Sequence, residues 1–272
     1  MKNFVISLST AVKRREHISA EFGRQDIEFQ FFDAVVPETM ESMVRELGLD
    51  LTATDLKKSE VSCLLSHVAL WKKAVDDNLD YIAIFEDDIY LGSQAKTFLS
   101  DPSWIPKDYN IIKLEAFYRY ITVLNDKDDI SIAQRKLAVL KSRHMGCGGY
   151  ILSNNGAANL LKFIKKYKKL IPIDHIVFND YMLQGNDRIF QMVPALCIQD
   201  FILNKCHEKF PSHLEDDRRV RKGEVEKIIK PKISFVQKVK REISRPFLEL
   251  LKFINFRYQQ LHGQIIIRMK FK

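Results

Sequence analysis

Three consecutive carboxylates end an apolar run in the middle of the chain, and they are the residues best suited to chemistry. Glu86, Asp87 and Asp88 follow residues 80–85, which read DYIAIF and predict a buried strand. Strand alternation aims Glu86 and Asp88 the same way, and neighbouring acids repel one another unless a cation intervenes. Two carboxylates on one side suit Mg²⁺ or Mn²⁺ together with a diphosphate. A solvated acidic turn is the alternative interpretation.

Basic and histidine side chains in three other segments are weaker candidates. Arg14 and Arg15 follow the first predicted strand, where they would either meet phosphate oxygens or lie solvated in a helical turn. His67 lies on an apolar helix face, where a core histidine is the more ordinary interpretation. The glycines after His144 would allow either a close ligand approach or a tight turn. The histidines and cysteines of these motifs show no zinc-site spacing, and no Walker A, GxSxG or GxGxxG pattern is present.

Alternating strand and helix patterns predict an α/β domain with a mostly parallel sheet. Strands are predicted at residues 4–8, 28–36, 80–85, 110–114, 144–153 and 189–198. Helices are predicted from residue 12, over 59–75 with Ser59 as the N-cap, and from the cap Asn154 to about 169. Ligands bind at the carboxyl ends of the strands in such sheets, so the three acids lie where a site is expected.

The formal net charge of +8 is unevenly distributed along the chain. Residues 218–272 carry 16 basic and 4 acidic side chains, a net of +12, whereas residues 1–217 carry 27 and 31, a net of −4. We therefore predict a catalytic domain at 1–217 and a basic tail at 218–272. Because the positive charge is confined to the tail and no nucleic-acid-binding motif is found, no nucleic-acid partner is expected.

The tail also has an amphipathic pattern. Residues 231–256 place apolar side chains at helical spacing, with most Lys and Arg elsewhere. This predicts a helix on an anionic membrane surface, and packing back on the catalytic domain is the alternative. Residues 264–272 are interpreted as either a strand or a frayed end. The chain shows no signal-peptide pattern and no apolar run long enough to span a membrane, so a cytoplasmic setting is expected.

Five segments, taken in order, resemble the bacterial lipooligosaccharide galactosyltransferases of glycosyltransferase family 25, which include β-1,4-galactosyltransferases. They read FVISLSTAVKRREHI, FQFFDAV, CLLSHVALWKKAVDDNLDYIAIFEDDI, HMGCGGYILS and PALCIQD, and the likeness covers roughly residues 2–200. The resemblance implies a GT-A-type fold and inverting transfer of galactose from UDP-galactose with Mn²⁺ or Mg²⁺. The implied acceptor is a terminal glucose or GlcNAc of a lipid-linked lipooligosaccharide or lipopolysaccharide outer core. The implied location is peripheral, at the inner face of the bacterial inner membrane.

The same resemblance implies roles for individual residues. Glu86 and Asp88 would bind the metal, and Asp174 would be the catalytic base, with Glu115 and Asp180 as alternatives. The implied donor-binding residues are Ser7, Arg14, Arg15, His67, Asp87, Lys113 and His144. Where relatives carry a histidine shortly after the PALC-x-Q motif, this chain reads Asp200-Phe201-Ile202. Acceptor choice is expected to depend on loops 37–58 and 117–143.

Three other functions are compatible with parts of the sequence. The first is a UDP-glucose-using glucosyltransferase of the same family, because the donor pocket is not readable from sequence. The second is a metal phosphohydrolase that uses the same acids without an acceptor. The third is a nucleic-acid-binding module that uses the basic tail, with steeply salt-dependent binding.

Overall fold

A central sheet of eight strands organises the protein in the computed structural model, which describes residues 1–51, 54–125, 131–205, 210, 245, 257 and 260–272. The strands in chain order are β1 (Lys2–Ser7), β2 (Gln30–Asp33), β3 (Tyr81–Glu86), β4 (Ile89–Leu91), β5 (Ile111–Lys113), β6 (Tyr120–Leu124), β7 (Ser131–Ile132), β8 (Arg135–Val139), β9 (Gly149–Ser153), β10 (Ile189–Val193), β11 (Cys197–Gln199) and β12 (Gln264–Arg268). The α-helices are α1 (Val12–Gly23), α2 (Met40–Leu47), α3 (Lys58–Asp76), α4 (Ala95–Leu99), α5 (Asn154–Ile164), α6 (Ile173–His175), α7 (Met182–Gln184) and α8 (Asp200–Asn204). A 3₁₀ turn (Pro37–Thr39) precedes α2, and a π-helix (Ile176–Tyr181) follows α6.

The strand order in the large sheet is β2-β1-β3-β9-β5-β10-β8-β7. Six of these eight strands point the same way, and only β9 and β8 run against them. The predicted α/β architecture with a mostly parallel sheet is confirmed. The carboxyl ends of β1, β2, β3 and β5 consequently meet at one edge, where β9 begins.

Helices cover both faces of the sheet, because the strands alternate their apolar side chains between two cores. Phe4 and Ile6 of β1 point to the core that contains α3 and α5, whereas Val5 points to the core that contains α1 and α4. Trp71 of α3 is fully buried in the first core, and Phe22 of α1 is fully buried in the second. Both faces are therefore closed, and the sheet edge is left for a site.

Several predicted boundaries were wrong in detail. Helix α3 begins one residue before Ser59, and its N-cap is Lys57, whose backbone N–H donates to the buried Glu60 at 3.1 Å. Ser153 rather than Asn154 caps α5, since its hydroxyl accepts from Gly156 N at 3.0 Å. The strand predicted over 189–198 is two strands, because Pro194 has no N–H for the ladder.

The end of the chain is built into the body. Strand β12 pairs antiparallel with β6, which confirms the strand interpretation of this segment. The Lys270 carbonyl accepts from Ala195 N at 2.7 Å, and the Lys272 carbonyl accepts from Ser93 N at 3.0 Å. Apart from Arg245, the amphipathic segment predicted over 231–256 lies outside the described residues. The division at residue 217 stays a prediction.

Candidate active site

The two acids predicted to bind a metal meet at a single point beyond the end of β3. Gln199 Nε2 lies 2.7 Å from Glu86 Oε2 and 3.2 Å from Asp88 Oδ1, so one amide donates to both carboxylates. Strand β11 brings Gln199 there by pairing with β4, where Gln199 faces Ile89. The two acids face the same side as predicted, although Asp88 does so from the turn between β3 and β4 and not from a strand.

The electrostatics of this pair favour a cation. Burial and, to a smaller extent, the charge of Glu86 raise the pKa of Asp88 to about 7, although Arg14 opposes both effects. The ionised form of Asp88 is therefore costly beside the carboxylate of Glu86, and a divalent ion would lower that cost. Since the donors are oxygens, Glu86 and Asp88 fit Mn²⁺ or Mg²⁺.

The middle acid of the motif points elsewhere. Asp87 accepts from Ser7 Oγ at 2.7 Å and from Arg14 Nη1 at 2.5 Å, so it ties the end of β1 and helix α1 to the motif. Burial would lower the pKa of Arg14, but the carboxylates of Asp87 and Asp88 outweigh burial and raise it. The guanidinium also donates to the Phe210 carbonyl at 3.1 Å. Ser7, Arg14 and Asp87 therefore form one connected unit.

Arg15, the second basic candidate, lies beside that unit. It donates to the Ser7 and Leu8 carbonyls, at 3.1 Å each, and to the carboxylate of Asp33. Its guanidinium lies over the Phe31 ring, 4.7 Å from the centroid. Arg15 thus joins the ends of β1 and β2, and contact with a donor substrate stays a prediction.

A buried ion pair lies at the end of β5. Lys113 and Glu115 are both fully buried, with Nζ 2.9 Å from Glu115 Oε2. Lys113 also donates to the Gly146 carbonyl at 2.5 Å, and Gly148 N donates to Glu115 at 3.1 Å. Burial raises the pKa of Glu115 to about 7, although Lys113 opposes it. The pair therefore supports the glycine-rich segment through its bonds to Gly146 and Gly148. Direct substrate contact by Lys113 or Glu115 stays a prediction.

The glycine-rich segment needs its glycines for close approach. Gly146 has φ +81°, and a Cβ there would lie 2.5 Å from Glu115 Oε2. Its N–H donates to Asp174 Oδ2 at 3.1 Å, so the predicted base is held at the same loop. Asp180, an alternative base, instead accepts from Tyr167 at 2.6 Å. Of these two candidates, Asp174 is the one that the structure joins to the loop.

The two histidine candidates are both fully buried. His67 Nδ1 lies 2.8 Å from the Tyr150 hydroxyl, and its Nε2 lies 3.6 Å from Glu86 Oε1. The backbone N–H of His144 donates to Asn179 at 2.9 Å. Burial lowers the pKa of His144 to about 3, so its ring is neutral at physiological pH. His67 therefore lies beside the acidic motif, whereas His144 is buried and held by its backbone hydrogen bond to Asn179.

A cleft of about 770 Å³ opens at the opposite edge of the sheet, beside the start of β1 and β3. Its lining includes Lys2, Glu28, Asp80 and Tyr81, and none of the predicted site residues. The chemistry-bearing side chains therefore lie at the other end of the strands.

Sequence comparison identifies the family. A sequence model described as glycosyltransferase family 25 (LPS biosynthesis protein) matches residues 1–177. The chain belongs to this family. The matched range contains the acidic motif, the Lys113–Glu115 pair and Asp174.

Relatives of this family 25 glycosyltransferase include proteins named for lacto-N-neotetraose or lipooligosaccharide biosynthesis. A putative glycosyltransferase of Haemophilus influenzae is 36% identical over 89% of this chain and 84% of its own length. The lacto-N-neotetraose biosynthesis glycosyltransferase LgtB of Neisseria meningitidis serogroup B is 35% identical, over 80% and 83%. The lipooligosaccharide biosynthesis protein lic2B of Haemophilus influenzae is 34% identical, over 80% and 83%. A crystal structure of the galactosyltransferase LgtC with donor and acceptor sugar analogues shows a TM-score of 0.37 and 12% identity, covering 70% of this chain and 73% of that one.

Sequence reasoning missed three side chains of this family 25 site. Gln199, Cys63 and Tyr150 received no role, although all three lie in the segments that carried the resemblance. Gln199 joins Glu86 to Asp88, and Tyr150 holds His67. The sequence places Gln199 in a strand that follows Pro194. It does not show that this strand pairs with β4, which is what brings Gln199 to the acids.

The buried ion pair yields a stability prediction for this enzyme. Replacing Lys113 with methionine should lower the free energy of unfolding by about 3 kcal/mol, because Glu115 is left buried without its counter-charge. Because the pKa of Glu115 is raised, its carboxylate becomes charged, and destabilising, as the pH rises. The loss of unfolding free energy in Lys113→Met should therefore grow as the pH increases through 7 and shrink towards pH 5. Denaturant unfolding at several pH values measures both effects.

A double variant and a surface pair serve as controls. Adding Glu115→Gln to Lys113→Met should recover part of the lost stability, since the orphaned carboxylate is removed. Lys73→Met breaks a 2.6 Å pair with Asp77 in which both side chains are about half exposed, and it should change stability little. Equal losses for Lys113→Met and Lys73→Met would contradict the assignment.

Proposed function

We propose that the protein is an inverting, metal-dependent galactosyltransferase. It transfers galactose from UDP-galactose to a terminal glucose or GlcNAc of a lipooligosaccharide or lipopolysaccharide outer core. Family membership supplies the reaction class, and the relatives' names supply the glycan class. The observation that carries the proposal is the convergence of Glu86 and Asp88 on one point at the carboxyl end of β3.

The residues at this edge of the sheet have different roles in binding a nucleotide diphosphate. Glu86 and Asp88 would hold Mn²⁺ or Mg²⁺, which when bound neutralises the charge of a leaving diphosphate. Gln199 keeps the two carboxylates aimed at one point. The Ser7–Asp87–Arg14 unit fixes a guanidinium beside them, where it can donate to phosphate oxygens.

Inverting transfer needs one base. The acceptor hydroxyl loses its proton to a carboxylate while its oxygen bonds to the anomeric carbon and the bond to UDP breaks. Asp174 is our choice, because it lies against the glycine-rich loop that the Lys113–Glu115 pair supports. Glu115 is fully buried and bonded to Lys113, which suits support of the loop better than proton transfer to a substrate.

Aromatic side chains beyond β5 suit the acceptor sugar. Tyr118 is 38% exposed, and its ring centroid lies 5.1 Å from that of His144. Burial raises the pKa of the Tyr118 hydroxyl, and Asp174 adds to this effect, so this ring is electrostatically linked to the proposed base. Phe117 packs beside it, with centroids 5.0 Å apart. We place the acceptor sugar on this aromatic surface, since exposed rings offer apolar faces to carbohydrate.

Replacing Tyr118 with alanine should raise KM for the acceptor about 3- to 10-fold, with little change in KM for UDP-galactose. The reason is that the ring contacts the acceptor and not the donor. Initial rates with each substrate varied in turn separate the two constants.

Tyr120 supplies a matched control. It lies two residues further on, is 55% exposed, and belongs to β6, where it pairs with Arg268. Tyr120→Ala should leave both constants near those of the unchanged protein. An acceptor KM that rises equally in both variants would argue against a specific surface at Tyr118.

We also propose that the basic residues after 217 hold the enzyme at an anionic membrane surface, on the cytoplasmic side of the inner membrane. The charge distribution supports this, with +12 in 218–272 against −4 in the rest. Within the described part of the chain, no helix is both long and apolar enough to cross a membrane. A lipid-linked acceptor would make such an arrangement useful.

A donor and acceptor screen tests the function. Purified protein, Mn²⁺ and a panel of UDP-sugars are incubated with glucose- or GlcNAc-terminated acceptors, and the product is identified by mass spectrometry and NMR. Galactose transfer with inversion supports the proposal, whereas transfer from UDP-glucose identifies a glucosyltransferase. UDP release that does not depend on the acceptor would instead identify a hydrolase.

A further inference from the structure

One ring nitrogen beside the acidic motif has no hydrogen-bond partner in the part of the chain that the structure describes. His67 is fully buried, and its Nε2 finds none among the described residues. The nearest carboxylate oxygen, Glu86 Oε1, is 3.6 Å away, which is beyond hydrogen-bond distance. An unsatisfied buried nitrogen costs free energy, so its orientation calls for a physical reason.

A third potential ligand completes a cluster at this nitrogen. Cys63 lies one helical turn before His67 on α3, so both side chains share one face of the helix. The ligand atoms of Cys63, His67 and Glu86 all lie within 4.8 Å of one another. Two nitrogen or oxygen ligands of a tetrahedral zinc ion are separated by about 3.4 Å, close to the 3.6 Å observed for His67 and Glu86.

The donor chemistry differs from that of the proposed catalytic metal. Thiolate and imidazole select borderline-soft ions such as Zn²⁺, whereas carboxylates alone select Mg²⁺ and Mn²⁺. Glu86 can contribute an oxygen to each of the two metal sites, because its Oε2 faces Gln199 and Asp88 while its Oε1 faces His67. Cys63 and Glu86 are partly exposed, whereas His67 is buried, so the cluster lies at the boundary of the core.

We propose that Cys63, His67 and Glu86 form a binding site for a thiophilic divalent cation such as Zn²⁺. Three protein ligands leave the fourth tetrahedral position open. Zinc-site spacing is not visible along the chain, because Glu86 belongs to β3 whereas Cys63 and His67 belong to α3. The site is independent of the identity of the sugar substrates, although through Glu86 it adjoins the proposed Mn²⁺ site.

The surroundings of His67 suit a metal ligand. Its Nδ1 lies 2.8 Å from the Tyr150 hydroxyl, which also accepts from Trp71 Nε1 at 3.0 Å. A metal-bound histidine commonly donates its other N–H to such a fixed group, which sets the ring orientation. On binding, the Cys63 thiol releases its proton to solvent and His67 carries its proton on Nδ1.

Titration of the full chain with Zn²⁺ against a chromogenic chelator tests the site. We expect one ion bound per chain, and Cys63→Ser should weaken binding by more than about 100-fold. Replacing Zn²⁺ with Co²⁺ should give a thiolate-to-cobalt absorption band that Cys63→Ser abolishes. Tyr150→Phe keeps the ligands but removes their support, and should weaken binding about 10-fold.

A second variant separates this site from the proposed function. Asp88→Asn should weaken Mn²⁺ binding while leaving the cobalt–thiolate band intact, and Cys63→Ser should do the reverse. Failure of Asp88→Asn to affect Mn²⁺ would count against the catalytic metal only. Zinc binding of equal strength in Cys63→Ser, or a cobalt complex without a thiolate band, would overturn the inference. Thermal unfolding of each variant checks that the fold is retained.

Discussion

Replacing Asp88 with asparagine should lower sugar transfer at least about 100-fold while leaving the fold intact. Asp88 supplies one of the two carboxylates that converge near Gln199, and the neutral amide would bind a divalent cation far more weakly. Folding should not suffer, because the substitution removes a carboxylate whose charged form is disfavoured by burial, which raises the pKa of Asp88 to about 7. UDP release with saturating donor, acceptor and Mn²⁺ measures the loss.

The control for this prediction is an acid at the other edge of the sheet. Asp101 lies between two residues that line the opposite cleft, and its carboxylate accepts from Ser103. Asp101→Asn should retain full transfer. Full activity in Asp88→Asn would refute the metal role of the acidic motif, whatever the donor sugar is.

Replacing Asp174 with asparagine should lower kcat by about 100- to 10,000-fold, with little change in KM for the donor. The asparagine oxygen can still accept from Gly146 N, so the loop keeps its anchor and only the capacity to take a proton is lost. A loss confined to kcat distinguishes a base from a residue that merely holds the loop. Initial rates over a range of donor concentrations provide the measurement.

Asp180 and Glu115 provide the comparison variants. Asp180→Asn affects a carboxylate that bonds Tyr167, and it should retain most of the transfer rate. Glu115→Gln should lose activity together with stability, because Glu115 supports the glycine-rich loop through Gly148. A normal rate in Asp174→Asn with a large loss in Asp180→Asn would move the role of base to Asp180.

The sequence was sufficient for the fold class and for the central acids. Strand periodicity followed by carboxylates located β3 and its end. Asp87 and Asp88 form the turn between β3 and β4, and this turn directs Asp88 to Gln199 beside Glu86 and Asp87 to Ser7 and Arg14. The charge shift identified the basic segment, since it depends on composition alone. These inferences needed only local pattern.

What the sequence could not predict depends on pairing across the sheet. Gln199 reaches the acids because β11 pairs with β4, and no local pattern specifies that register. The burial of Lys113 and Glu115 was missed for the same reason, since charged residues at the end of a short strand usually indicate exposure. The sequence shows that Cys63 and His67 are one helical turn apart, but it does not show that Glu86, on another element, lies beside them.

The return of the chain through β12 changes how the basic segment should be tested. Residues 218–256 are bounded on both sides by chain that packs on the body, at Phe210 beside Arg14 and at β12 beside β6. They therefore connect two fixed points, and cutting the chain at 217 would also strip β6 of its partner strand. It would further remove the Lys272 carbonyl that the buried Arg135 binds.

Substitution within the segment avoids that damage. Replacing basic residues between the two anchors with neutral ones leaves the contacts at Phe210 and β12 in place, so a loss of binding to anionic vesicles can be assigned to charge.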